Sequence, residues 1–394
     1  MMQVLSFLPY VYTGFGSSHT PMAVARGFAG LAPGSRLYVP SLRARPPQGV
    51  DLCTWMPAWL PRPLRGGRFH QAAQARVVER LLADLRRAGP GAVVWLWPNA
   101  GLDTVRRLKD AGAFLVREMI NTHSATYRQI ILGEALRSGL SGPMPITDAF
   151  VAEETAELAL VDRVVSPAEG VDRSLLAAGV ADERIYRSHF GWDPARFPTV
   201  SRHRDPVAPF TALFVGEITV RKGAHLALRA WREAGIEGEF HLLGAVSPEL
   251  APLLACEIAR GGVRHTPFTA DPAPFYRQAG CLFFPTLEEG APLVCYEAAA
   301  CGLPVITGPM GTARFISHGH NGIVVDPHDQ AALVAALKAL ADGRRAPDGL
   351  HARLSAAAAS SAQQHRWEDA ARHRLALLQA DRDKIRAKPL FSRV

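Results

Sequence analysis

Glu289 and Glu297 stand eight positions apart in the stretch EEGAPLVCYEAAACGLPV, residues 288–305. Between them Gly290, Ala291 and Pro292 form a turn, and behind them lie Ala298 to Ala300 and Gly302. Pro292 suits the first position of a helix, where its fixed φ fits and its missing N–H is not needed. The amides of Leu293 and Val294 then face outward at the positive end of that helix, which makes a seat for a phosphate. Glu297, four residues beyond Leu293, shares that helix face. A carboxylate there repels phosphate but suits a pair of ribose hydroxyls slightly further away. Glu289, on the loop before the helix, is placed to accept hydrogen bonds from hydroxyls of a transferred group. The small residues let the helix lie close to its sheet. Two solvated acids favouring a helix dipole would account for either residue alone, but not for the whole spacing.

Such a pocket needs a strand to deliver it. CLFFPT (Cys281 to Thr286) reads as a buried strand running straight into EEGAP, and ligands of open α/β sheets bind beyond the carboxyl ends of strands. The same grammar runs through the chain. Gln3 to Leu8, Arg36 to Val39, Ala92 to Leu96, Phe114 to Ile120, Val164–Val165 and Arg184 to His189 read as strands in the first half. Gln71 to Arg87 is an amphipathic helix with Val77, Val78, Leu81, Leu82 and Leu85 on one face. In the second half, Phe210 to Val215, Phe240 to Leu243, Cys281 to Pro285, Pro304 to Thr307 and Gly322 to Val325 are short strands. Helical stretches at Ala224 to Ala234, Pro248 to Arg260 and Gln330 to Ala341 separate them. Alternating strands and helices imply parallel sheets covered on both faces. Pro194 to Pro209 holds four prolines without periodicity and reads as a linker. The expectation is an α/β chain of two Rossmann-like doubly wound domains facing a cleft, residues 1–193 and 210–368, joined by residues 194–209. The helical tail, about 369–394, is expected to pack back on the first domain.

With 394 residues, 48% hydrophobic and 20% charged, the composition supports packed cores and excludes disorder. The formal charge of +8 admits three partners: nucleic acid, an anionic membrane face or a phosphorylated small molecule. Much of the excess is arginine scattered singly, and no basic run is dense enough to read as a nucleic-acid tail. Five cysteines without a Cys-x-x-Cys point to reduced thiols rather than a disulfide frame or zinc site. No stretch approaches the roughly 18 apolar residues of a spanning helix, and the start lacks a basic leader, so a cytosolic location is expected. One segment, DLCTWMPAWLPRPLRGGRF (Asp51 to Phe69), interleaves Trp55, Trp59, Leu60 and Phe69 with Arg62, Arg65 and Arg68. That mixture suits a peripheral membrane contact or a lipid-linked acceptor. Buried tryptophans in an acceptor-domain loop are the plain alternative.

Glu289-x₇-Glu297 with EAAACGLPV behind it resembles the signature of the retaining glycosyltransferases of family four, which have the GT-B fold. Three further segments resemble the same family: FVGEITVRKG (Phe214 to Gly223), HFGWDPARF (His189 to Phe197) and NGIVVDPHD (Asn321 to Asp329). The resemblance covers roughly Ser166 to Asp342, with the first half matching only in outline. It implies transfer of a sugar from a nucleotide diphosphate donor to a glycan, lipid-linked or small-molecule acceptor. The anomeric configuration would be retained, with no cofactor and no metal. By position, Lys222 would pair with the donor diphosphate, Glu297 would hold the ribose and Glu289 the transferred sugar. Arg221 and Lys222, arriving from a strand end, are the cations such a leaving group needs. Phe268 and Thr269 would lie where backbone groups read the base. In a GT-B enzyme the loop TGFGSSHT would face the donor across the cleft, making Gly14, Gly16 and His19 candidates. His123 in REMINTH would approach the anomeric carbon, with Glu118 and Asn121 as neighbours. The chain departs from the family at Glu217, where Arg is usual, and at Arg314, where Glu is usual, the second bearing on sugar selection. Two enzyme alternatives on this architecture are an epimerase and a phosphorylase. A phosphorylase needs a cofactor lysine, and Lys222 alone of the five lysines falls in a cleft-facing loop. A nucleic-acid-binding protein would be a different class, for which the paired acids are an obstacle.

Overall fold

The computed structural model describes residues 2–14, 16–56, 67–89, 92–140, 142, 144, 146–197, 209–344, 346 and 348–386. It forms two parallel sheets. The first contains β1 (Val4–Phe7), β2 (Arg36–Ser41), β3 (Leu52–Met56), β4 (Val93–Leu96), β5 (Phe114–Glu118), β6 (Arg163–Ser166) and β7 (Ile185–Arg187), in the order β3-β2-β1-β4-β5-β6-β7. The second contains β8 (Phe210–Val215), β9 (Gly238–Leu243), β10 (Val263–Thr266), β11 (Cys281–Phe284), β12 (Val305–Thr307) and β13 (Gly322–Val324), in the order β10-β9-β8-β11-β12-β13. In both sheets the strand order reverses once, between β1 and β4 and between β8 and β11. At such a switch point the flanking connections leave on opposite faces and open a crevice.

The central strands are apolar runs, VLSF, VVWL and CLFF, buried along their whole length, as parallel strands covered on both faces must be. Helices α1 (His19–Leu31), α2 (Gly67–Ala88), α3 (Leu102–Asp110), α4 (Ser124–Ser138), α5 (Asp148–Leu160) and α6 (Glu169–Ala177) cover the first sheet. Around the second lie α7 (Ala224–Ala234), α8 (Ala251–Arg260), α9 (Ala273–Gln278), α10 (Leu293–Ala300) and α11 (Gln330–Gly343). The tail continues as α12 (Leu350–Ala362), α13 (Trp367–Ala380) and α14 (Arg382–Arg386). Strands β3 and β10 are edge strands that the apolar pattern does not announce. LCTWM is half-buried, and VRHT exposes Arg264.

The tail is built into the first domain by small residues and by charge. At Gly27 of α1 an added Cβ would lie 2.3 Å from Cβ of Ala371, so only glycine allows α1 and α13 to cross this closely. Arg374 of α13 reaches the end of β5, where Glu118 accepts from its Nη2 at 2.6 Å and from Trp95 Nε1 at 3.0 Å. Arg374 and Glu118 are both fully buried. Glu118 is thus a core anchor for the tail and takes no part in the cleft. Asp381 adds a second tie, accepting from Arg163 Nε at 2.6 Å and from the Tyr186 hydroxyl.

Removing one partner of such a pair leaves an uncompensated buried charge. Arg374→Met is expected to destabilise the chain by about 3–5 kcal/mol, read as a lowered urea midpoint for tail and first domain together. A midpoint shift confined to the tail would contradict it.

Candidate active site

The pocket is assembled at the switch point between β8 and β11. After β8 the chain turns through Gly216 to Gly223 and enters α7. Gly223 has φ +69°, and an added Cβ would lie 2.0 Å from the Pro285 carbonyl oxygen, so the turn is pressed onto the end of β11. Leu287 N donates to the Arg221 carbonyl at 3.0 Å, fixing the two loops together. Four charges meet as a result. Arg221 Nη1 lies 3.1 Å from Glu288 Oε2 and 3.9 Å from Glu289 Oε1. Lys222 Nζ contacts Glu289 Oε1. Burial and the neighbouring Arg221 guanidinium lower the Lys222 pKa, against Glu288 and Glu217, which raise it.

Glu288 is a partner that sequence reasoning missed, although the doublet Glu288–Glu289 was its signal. It is fully buried and reaches across the cleft. Its Oε1 accepts from Thr122 N at 2.8 Å and Thr122 Oγ1 at 2.9 Å, and its Oε2 from Asn121 Nδ2 at 2.9 Å. Gly290 follows, where an added Cβ would sit 2.2 Å from the Ile120 carbonyl oxygen. Two rims therefore meet backbone to backbone. Pro292 is the residue capping α10, with ψ 118°, and not its first helical residue; the helix begins at Leu293. Leu293 and Val294 supply the first amides, which lie outside the intrahelical ladder. Ala291 is buried beside them.

Glu297 lies on α10 and accepts from the Tyr276 hydroxyl at 2.8 Å. Burial raises its carboxyl pKa, against the lowering by Tyr276. Phe268 and Thr269 follow β10 on the same rim, Phe268 58% exposed and Thr269 accepting from Asp271 N at 3.2 Å. Across the cleft, Gly14 and Gly16 both take positive φ in the turn before α1. His19 packs edge-on against Trp367 of the tail, ring centroids 6.1 Å apart.

His123 sits two residues from Asn121, but its ring belongs to the rim's own architecture. Nδ1 accepts from Ala125 N at 3.3 Å, capping α4, and Nε2 lies 3.2 Å from Thr155 Oγ1. Burial lowers its pKa despite Glu154 nearby, so the ring is held neutral. The structure therefore brings Arg221, Lys222, Glu289 and the start of α10 together. It does not turn the His123 ring towards them. Arg314 takes positive φ and pairs with Asp172 of α6 on the opposite domain, which explains a cation at that position. A further tie joins Glu134 of α4 to His225 and His328, at 2.8 and 2.6 Å. Burial raises the Glu134 pKa, but the two imidazoles outweigh it and hold the carboxyl below its ordinary value. Trp55 and Phe69 are half-exposed, whereas Trp59, Leu60, Arg62 and Arg65 lie outside the described residues. So does most of the linker reading, residues 198–208. Among the described residues no group of three or more His, Cys, Asp or Glu side chains could hold a metal ion, and no helix is long and apolar enough to cross a membrane. All five cysteines are free thiols.

Two doubly wound domains with a charged pocket between them define the GT-B class of fold, and comparisons agree. Sucrose-phosphate synthase from Thermosynechococcus elongatus superposes with a TM-score of 0.70 at 16% identity, over 96% of this chain and 99% of that one. Anabaena HepE, solved in complex with UDP, gives 0.68 at 14% over 96% and 100%. Residues 209–342 match the family model described as glycosyl transferases group 1. A D-inositol 3-phosphate glycosyltransferase from Catenulispora acidiphila is 28% identical over 93% of this chain and 90% of its own length. The protein of that name from Xylanimonas cellulosilytica is 30% identical over 57% and 55%. The second domain carries the match to the group 1 glycosyl transferases, and the chain is a glycosyltransferase with the GT-B fold.

The meeting of rims at Gly290 yields a test. Gly290→Ala drives a methyl into the Ile120 carbonyl and should part the domains, seen as a larger radius of gyration in solution scattering. Turnover should fall by about 10²-fold, as misplacement of catalytic parts by an ångström does. An unchanged radius and rate would contradict the contact.

Proposed function

We propose that this glycosyltransferase moves a hexosyl group from a nucleoside diphosphate sugar to a hydroxyl acceptor with retention of anomeric configuration, needing no metal. The observation that carries the reading is the quartet Arg221, Lys222, Glu288 and Glu289 set before the start of α10 at the β8–β11 switch point. A diphosphate at the first amides of α10 meets the positive end of the helix dipole and the Lys222 ammonium beside it. Lys222 then leaves Glu289 for phosphate, and the freed carboxylate accepts from hydroxyls of the sugar. As the glycosidic bond breaks, charge grows on the diphosphate, and fixed donors already in place stabilise it without reorganisation. Glu297 holds the ribose, and the exposed rim at Phe268 and Thr269 takes the base. Gly16 belongs to the facing rim. His123, by capping α4, steadies the loop that meets Glu288; contact with the sugar would require its ring to leave Thr155. The likeness to HepE solved with UDP supports a nucleotide donor, and the inositol phosphate named for the relatives makes a cyclic polyol one acceptor to try.

Two substitutions separate the roles. Glu289→Gln should abolish transfer while nucleoside diphosphate binding, followed by calorimetry, stays within a few-fold. Glu297→Ala should weaken that binding by about tenfold or more, the loss expected for a hydrogen bond to a charged group. Full turnover in both variants would sink the site assignment.

A further inference from the structure

A cavity of about 210 Å³ opens in the first domain beside the rim, lined among others by Asn99, Arg117, Ser124, Tyr127, Phe150 and Glu154. It adjoins the charge quartet. Asn121, also in its wall, donates to Glu288, and the Arg221 guanidinium lies 5.9 Å from the centre of the Tyr127 ring. We infer that this cavity receives the acceptor, and that it selects an uncharged sugar or polyol ring over a phosphomonoester. The inference rests on the transferase reading above and adds the class of acceptor to it.

Two features show that the cavity is built for a polar guest. Ser124 Oγ is buried and lacks a hydrogen-bond partner, and Ser124 is more than nine-tenths buried. A native interior seldom leaves such atoms unmet unless something else meets them. Phe150 and Tyr127 supply flat apolar walls of the kind that pack against sugar C–H faces.

The charges decide against phosphate. Arg117 is the cation in the wall, and two carboxylates already face it: Glu154 Oε1 lies 3.6 Å from Nη2, and Glu157 Oε2 3.5 Å from Nε. The start of α4 also points here, yet its first amides are taken. Ser124 N donates to Glu154 Oε2 at 2.7 Å, and Ala125 N donates to the His123 ring. Arg221, the next cation, is held by Glu288. A phosphate entering would meet Glu154 with no free positive charge to offset it. Hydroxyls can donate to Glu154 and to Asn99, and meet the unpaired Ser124 hydroxyl.

The test uses the full chain with UDP and GDP supplied in turn. Saturation-transfer NMR compares myo-inositol and methyl α-glucoside with myo-inositol phosphate and glucose 6-phosphate. The neutral compounds should bind at least about tenfold more tightly than their phosphates. Ser124→Ala and Phe150→Ala should each weaken neutral binding several-fold. Glu154→Gln retains a carbonyl for Ser124 N but relieves the repulsion, and should narrow the preference. Phosphates binding as well as neutral compounds, no neutral binding, or neutral binding untouched by Ser124→Ala and Phe150→Ala would overturn the inference. Calorimetry with UDP and GDP on the same samples reads the donor site separately. Nucleotide binding alongside a failed acceptor result removes the acceptor inference alone; absent nucleotide binding removes both.

Discussion

Glu288 and Glu289 are carboxylates held out of water where two domains meet, and a charge so placed has to be matched by another. That requirement organises the cleft. It draws Arg221 and Lys222 off the β8 turn and forces Gly223 against Pro285. It also pulls the Asn121–Thr122 loop of the first domain across to donate three hydrogen bonds. The arrangement is neutral as a group, so its cations are available to a diphosphate only when the carboxylates find other donors. Hydroxyls of a bound sugar are such donors. If a nucleotide sugar binds as proposed, this exchange would couple the binding of its two halves.

The two domains share one topology but use it unequally. In the second domain the switch point carries the charge quartet and the start of α10. In the first, the β4 and β5 ends carry a cavity whose cation is already balanced. On the proposed reading, one crevice would take the anionic donor and the other a neutral acceptor, the division of labour a transferase needs. The tail reinforces it. By anchoring α13 to Glu118 inside the first domain, Arg374 removes from the cleft an acid that stands only three residues before Asn121.

Much of this was legible in the amino-acid order because buried parallel strands announce themselves. Phe210–Val215 is apolar but for Thr211 and Cys281–Phe284 is apolar throughout, and the observed bounds follow the pattern closely. The spacing of Glu289 and Glu297 placed both on either side of one helix start. What escaped was set by tertiary contact. LCTWM and VRHT form edge strands whose mixed polarity carries no period. Pro292 caps α10 from outside because its ψ is extended, a choice that composition does not record. His123 looked like a residue for chemistry, yet its ring caps α4. Glu134 and Asp172 gain their meaning from partners on the other domain, and no local pattern points to them. Glu288 stood in the doublet beside Glu289, but its donors Asn121 and Thr122 lie far away in the chain.

The backbone contact between Gly290 and Ile120 sets a condition on ligand entry. On the proposed reading, a donor would reach the start of α10 only in molecules whose lobes have parted, and its measured affinity would be the intrinsic one scaled by that open population. The ties at Glu288, Glu134 and Asp172 all lower the population. Firmness of the resting chain and avidity for its substrate are therefore set against each other, and the strength of three carboxylate contacts fixes the compromise.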